Sequence, residues 1–118
     1  MAIHKLSQSV LYVELPSAGA KITEELGAVN EMISERCTYD VIVDFFKVEV
    51  LNSWNISTLL ALRSLLEDSG RRLVLCNVRV VTKCIFTVAG LRKVFVFANN
   101  KESALQALQR SESPSSVY

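Results

Sequence analysis

The chain has 118 residues, half of them apolar, and its 13 basic and 12 acidic residues leave a formal charge of +1. That length suits one domain with a core that needs no staples, and the apolar content excludes disorder across the body of the chain. The even charge balance gives no electrostatic case for nucleic acid or for an anionic membrane.

The chain-order pattern begins with Ser9–Leu15, "SVLYVEL", where Leu11, Val13 and Leu15 alternate onto one face as in a strand. Pro16 and Gly19 break it. In Ala20–Arg36, Ile22, Leu26, Val29 and Ile33 recur at helical spacing, and Glu24, Glu25, Glu31 and Glu35 lie off that stripe. Tyr39–Phe46, "YDVIVDFF", is a near-continuous β-branched and aromatic run, suited to a strand buried on both faces of a parallel sheet. Polar residues and the sole tryptophan follow in "VEVLNSWNISTL" (Val48–Leu59). Beyond them a helix is expected with Ile56, Leu59, Leu60 and Leu66 inward, Leu62 and Leu65 widening the band, and Gly70 as terminator. Arg71–Val78 reads as a second buried strand. Val80, Val81, Cys84, Ile85 and Val88 have the spacing of an inward helix face, closed by Gly90. Lys93–Phe97 reads as a short strand. Asn99–Arg110 has an asparagine start signal and Ala104, Leu105 and Leu108 facing in. The last eight residues, 111–118, are polar and read as a flexible tail on a single domain spanning 1–110.

The order β-α-β-α-β-α-β-α implies an α/β fold: a mostly parallel central sheet of four to five strands with about four helices, joined by right-handed crossovers. Sites in such sheets lie beyond the carboxyl ends of the strands. Residues 44–47, 50–55 and 77–79 are expected to converge there.

The chemistry-bearing residues are sparse. Cys37, Cys76 and Cys84 are odd in number and unpaired in spacing, which argues against a disulfide framework. Cys76 and Cys84 read as small buried hydrophobes. His4 is the sole histidine, placed near a mobile start and outside the folded body, so neither a zinc site nor a Ser/His or Cys/His catalytic set can be assembled. No glycine-rich phosphate loop is present, and no cofactor is expected. With no visible signal peptide and no apolar run of about 20 residues, the chain reads as soluble and cytoplasmic, with no membrane insertion.

The stretches "VIVDFFKVEVLNSWNISTLLALRSLLEDSGRRLVLCNV" and "AGLRKVFVFANNKESALQAL" together resemble the STAS domains of bacterial anti-sigma-factor antagonists. The resemblance is ungapped over residues 41–108. It implies the fold just described and a protein that binds partners and is not an enzyme. Members of that family typically bind a serine kinase of the anti-sigma type, which phosphorylates the second serine of an Asp-Ser-Ser-Gly motif at a helix start. Transferred residue by residue, the motif's aspartate falls on Asn52, its first serine on Ser53, the phosphoacceptor on Trp54, its glycine on Asn55, the following leucine on Ile56 and the second glycine on Ser57. Asp44 keeps the aspartate at the end of the central strand.

Trp54 has no hydroxyl, so phosphotransfer at that position is excluded. Asn52 also lacks the carboxylate that could orient a hydroxyl or help hold a metal. Ser53 or Asn52 reads as a helix N-cap, and Ser57 as helix surface; Ser53 and Ser57 remain the candidate relocated phosphoacceptors. Trp54 has two readings, a core-edge aromatic or an exposed interface anchor. Of Phe45 and Phe46, one is expected in the core, not both. The candidate partner-binding set is therefore Asp44, Asn52, Ser53, Trp54, Asn55 and Ser57.

Taken together these features imply a regulatory module that docks a kinase-like or other signalling protein partner. The alternatives are a phosphoswitch moved to Ser53 or Ser57, and a scaffold subunit of a stress-signalling complex or of a lipid transporter. The N-terminal strand is expected at a sheet edge, which leaves a homodimer open.

Overall fold

The computed structural model describes residues 3–17, 19–35 and 38–109. The last residue of the first expected helix, Arg36, together with Cys37 and the expected tail at 111–118, lies outside the described residues. The elements are β1 (Ile3–Lys5), β2 (Val10–Glu14), α1 (Ala20–Glu35), β3 (Asp40–Asp44), α2 (Ser53–Asp68), β4 (Leu73–Cys76), α3 (Val80–Val88), β5 (Val96–Ala98) and α4 (Lys101–Gln109). They form the expected β-α-β-α-β-α-β-α series, preceded by one further strand.

The five strands lie in the order β1-β2-β3-β4-β5. β1 pairs with β2 antiparallel, His4 opposite Tyr12; all other neighbours are parallel, with Tyr12 opposite Ile42, Asp44 opposite Cys76, and Cys76 opposite Ala98. Because the chain steps the same way across the sheet three times, right-handed crossovers put α1, α2 and α3 on one face. The last helix, α4, returns over the other.

Alternation along the strands divides the core accordingly. Leu11, Val13, Leu15, Val41, Val43, Phe45, Leu73 and Leu75 point into the larger layer with Ile22, Leu26, Val29 and Ile33 of α1. Tyr12, Ile42, Val74 and Cys76 point to the opposite face, under Ala104 and Leu108 of α4. Phe86 on α3 anchors the far end of the large layer, with its ring edge-on to Phe45, Phe95 and Phe97 at centroid distances of 6.3, 5.5 and 5.5 Å.

Helices α2 and α3 both end on a glycine in the left-handed region, Gly70 (φ 72) and Gly90 (φ 76). In α2 the Gly70 N–H donates to Glu67 O and the Arg71 N–H to Leu66 O; in α3 the Gly90 N–H donates to Thr87 O and the Leu91 N–H to Phe86 O. This crossed pair satisfies carbonyls the helix leaves free, and only glycine adopts that φ without strain.

The structure corrects several sequence expectations. His4 belongs to β1 and lies 3.3 Å from Glu14, so it is part of the folded sheet. The strand expected at the edge, β2, is paired on both sides, by β1 and β3; the edges are β1 and β5. In α2 the deeply buried line is Asn55, Leu59, Leu62 and Leu66, with Ile56, Leu60 and Leu65 packed at its flanks. In α3 the expected face is turned over. Thr82 and Phe86 are buried, whereas Val80, Val81, Cys84 and Val88 are exposed, so Cys84 is no buried hydrophobe. The strand expected at Lys93–Phe97 runs from Val96 to Ala98, because 92–94 form a turn. Among the described residues no helix is long and apolar enough to cross a membrane.

Candidate functional site

The carboxyl ends of β2, β3 and β4 open onto one edge, and the loops there are held by named bonds. The Leu15 N–H donates to Asp44 O (3.1 Å) and the Phe45 N–H to Cys76 O (2.9 Å), which carries the ladder one residue past the strands. The Glu49 N–H donates to Ser17 O at 2.8 Å, which ties the β3–α2 loop to the β2–α1 loop. The Arg79 guanidinium donates to Phe46 O at 3.3 Å. Of the three expected segments, 44–47 and 77–79 meet directly, whereas 50–55 is tied to the β2–α1 loop and to α1.

Asp44 controls this edge from inside. It is buried on the α4-facing side of the sheet. Its carboxylate accepts from the Tyr12 hydroxyl, from the Phe46 N–H (2.8 Å) and from the Asn77 carboxamide (3.2 and 3.1 Å). Three donors on one carboxylate make its burial tolerable. Burial first, and then the hydrogen bond to Asp44, push the Tyr12 hydroxyl well above the usual phenol range. Burial beside the same carboxylate pushes the Cys76 thiol up to about 12. Asn77 sits at φ 56, a left-handed conformation that asparagine tolerates better than most residues. The cluster therefore fixes the departure of the β3–α2 loop, and Asp44 presents little to solvent.

The start of α2 is built by two asparagines. Asn52 is the N-cap: its Oδ1 accepts the Asn55 N–H at 2.8 Å, and the Asn52 N–H donates back to Asn55 Oδ1 at 3.0 Å. This is a capping box in which Asn55 takes the place usually held by Glu or Gln. The Asn55 Nδ2 then reaches α1, donating to Thr23 Oγ1 at 2.8 Å. Asn55 is fully buried, so of the six candidate residues it positions the helix and offers no surface to a partner.

What the box presents is an apolar rim. Trp54, in the first turn of α2, is 70% exposed; Phe46 and Val50 on the preceding loop are 67% and 60% exposed. Phe45 and Val48 are in the core, so the loop turns its apolar residues alternately in and out. The core-edge reading of Trp54 is thereby set aside. Ser53 and Ser57 are exposed beside it, and the Thr58 hydroxyl bonds back to Trp54 O at 2.9 Å. Asp44 and Asn55 lie on opposite faces of the sheet, and only Asn52, Ser53, Trp54 and Ser57 share the surface.

Sequence reasoning missed Tyr12 as the partner of Asp44 and Thr23 as the partner of Asn55. Tyr12 had a visible signal: it alternates to the same face as the Asp44 side chain across a parallel pair. Thr23 had none, because its role depends on the packing of α1 against α2.

Fold and site together define a small α/β module with a capped helix start at the sheet's carboxyl edge and exposed apolar residues beside it. The sequence profile of the STAS domain matches residues 9–104, and the chain belongs to the STAS-domain family. Comparison with the sequences of curated proteins gives no significant match. Among solved structures, the chain is similar to a single-substitution variant of RsbS from Moorella thermoacetica, at 18% identity and a TM-score of 0.78 over 91% of this chain and 92% of that one. It is similar to an anti-sigma-factor antagonist (STAS) domain protein from Planctomyces limnophilus, at 19% identity and 0.75 over 90% and 95%. A chain from the stressosome, described as a signal integration and transduction hub, gives 18% and 0.71 over 91% and 95%. At these identities the likenesses speak to the fold.

Proposed function

We propose that the protein is a non-enzymatic regulatory binding module that docks a signalling protein, kinase-like or of the anti-sigma type, through the apolar rim of Trp54, Phe46 and Val50. The observation that carries this reading is the exposure of Trp54 on the first turn of a well-capped helix. An indole held in water by a rigid frame is the type of side chain that dominates interface energetics. If Trp54 stands in for the phosphoacceptor, as the sequence resemblance implies, docking here is constitutive with respect to that position. The module then acts in the cytoplasm, in a pathway of transcriptional or stress signalling.

The buried residues support this division of labour. Asn52 and Asn55 fix the helix start, and Asp44 with Tyr12 and Asn77 fixes the loop before it. Preorganised backbone on both sides of Trp54 lowers the ordering cost of binding.

The test is capture of a partner from the source cell by native protein and by Trp54→Ala, followed by titration of the isolated partner. Loss of at least ~10-fold in affinity with unchanged folding supports the anchor role; equal affinity refutes it. Incubation with candidate anti-sigma kinases and ATP discriminates the alternative. Stoichiometric phosphate on Ser53 or Ser57 replaces the constitutive reading with a relocated switch, since both hydroxyls are exposed beside the helix start.

A further inference from the structure

Helix α3 has apolar side chains on two opposite faces. Phe86 turns into the core beside Thr82, and Val80, Val81, Cys84 and Val88 project on the other side. Each of these valines is more exposed than Trp54, and Val88 reaches 88%. Val81, Cys84 and Val88 recur at i, i+3 and i+7, and Val80 stands one turn before Cys84. Residues so spaced are surface neighbours, and the four make one strip ~12 Å long. A helix that is apolar on both sides is normally covered on both.

The strip is set in basic surroundings, which the net charge of +1 conceals. No acidic residue stands between Asp68 and Glu102. Arg79 begins the helix, with its guanidinium on Phe46 O. The Lys83 ammonium lies 5.6 Å from the Phe97 ring centre, on the β5 side of the helix. Exposed Arg92 and Lys93 follow the helix end.

We infer that the outer face of α3 docks an amphipathic helix of another protein, one whose apolar seam is flanked by carboxylates. The spacing selects a helix as occupant, because a narrow strip at i, i+3 and i+7 is the form in which one helix meets another. The flanks select its charge, because Arg79, Lys83, Arg92 and Lys93 are complemented by acidic side chains on both sides of the seam. A second copy of the chain does not meet this requirement. Docked α3 to α3, it sets Arg79 against Arg79 when parallel and against Arg92 and Lys93 when antiparallel. A broad anionic surface is disfavoured as well. Helix α1 lies in the same layer, and its exposed Glu24, Glu31 and Glu35, with Lys21 as its only cation, point away from the sheet on the same side as the valines. Because α2 lies between them, a single helix seated along α3 does not reach those carboxylates. The site does not use the Trp54 side chain, and it stands whether or not the surface at α2 binds a signalling partner.

The test is titration of the full chain with two stapled synthetic helices that share one leucine seam. One carries glutamate on both flanks and the other lysine. The acidic helix should bind at least ~10-fold more tightly than the basic one, and salt should weaken it. Cys84 lies within the strip, so the bound acidic helix should slow alkylation of that thiol, read at the residue by mass spectrometry. Val81→Ser/Val88→Ser should lose at least ~10-fold in affinity with an unchanged thermal midpoint, since both side chains are exposed. Lys83→Glu/Arg92→Glu should reverse the preference and bind the lysine helix, a gain that misfolding cannot produce. Trp54→Ala should bind the acidic helix like the unmodified chain, which separates this site from the one at α2. Absence of binding by the acidic helix overturns the inference, as does equal binding of the two helices or binding that survives Val81→Ser/Val88→Ser. Protection of Cys84 by self-association of the chain overturns it too, as does stronger protection by phosphatidylglycerol vesicles than by the acidic helix.

Discussion

Removing the Asn55 side chain should destabilise the fold far more than removing most surface polar groups. Its Oδ1 accepts the Asn52 N–H at 3.0 Å, and its Nδ2 donates to Thr23 Oγ1 at 2.8 Å, all from a fully buried position. In Asn55→Ala the Asn52 N–H can turn to water because Asn52 is exposed, so that bond costs only its net value, about 1 kcal/mol. Thr23 is half-buried at the α1–α2 contact and loses its donor in a place water enters poorly, which costs a further ~1–3 kcal/mol. The expected total is about 3 kcal/mol, or a thermal midpoint lowered by roughly 10 °C in a domain of this size. Urea unfolding followed by circular dichroism measures it, with the midpoint falling and the slope unchanged. Asn52→Ala should cost about 1 kcal/mol, the usual value of an N-cap. The double substitution should cost less than the sum, because the two side chains share one box. A loss below about 0.5 kcal/mol for Asn55→Ala, or strict additivity of the pair, would refute the box as the element that fixes the helix start.

The remaining expectations concern other links in the structure. Phe86→Ala should destabilise by about 3–5 kcal/mol in urea titration, because it removes a ring packed against three others at the only buried aromatic position of α3. Trp54→Ala should leave stability within about 0.5 kcal/mol, and the native indole, the sole tryptophan, should be quenched by aqueous iodide nearly as readily as in the unfolded chain; strong protection would contradict its exposure. Stability should fall at alkaline pH. The Cys76 thiol is raised from 9.0 to about 12 and Tyr12 is raised as well, so in the folded state both hold protons that the unfolded chain releases. Their contribution is intact below about pH 9 and is lost as pH climbs towards the folded values. Thermal midpoints between about pH 8 and pH 11 measure this, and Cys76→Ala should flatten the decline.

The sequence by itself determined much of this protein. Period-two alternation in β2, the apolar runs of β3 and β4 and the stripe of Ile22, Leu26, Val29 and Ile33 name a parallel α/β sheet, because local periodicity reports which side of an element meets the core. Gly70 and Gly90 mark helix ends, since the backbone there needs a left-handed residue. The meeting of residues 44–47 with 77–79 also follows from topology alone. Tertiary structure decided the rest. β1 is three residues long with two exposed side chains, too short to announce itself, and it exists because β2 offers it an edge. In α3 the sequence offers two apolar faces, and the ring cluster of Phe45, Phe95 and Phe97 selects the one with Phe86, leaving the valines in water. Trp54 is outward for a similar reason: Asn52 and Asn55 lock the phase of the first turn, and a locked helix can bury Asn55 or Trp54 but not both. Which face of a helix goes inside is a choice among neighbours, and the neighbours come from elsewhere in the chain.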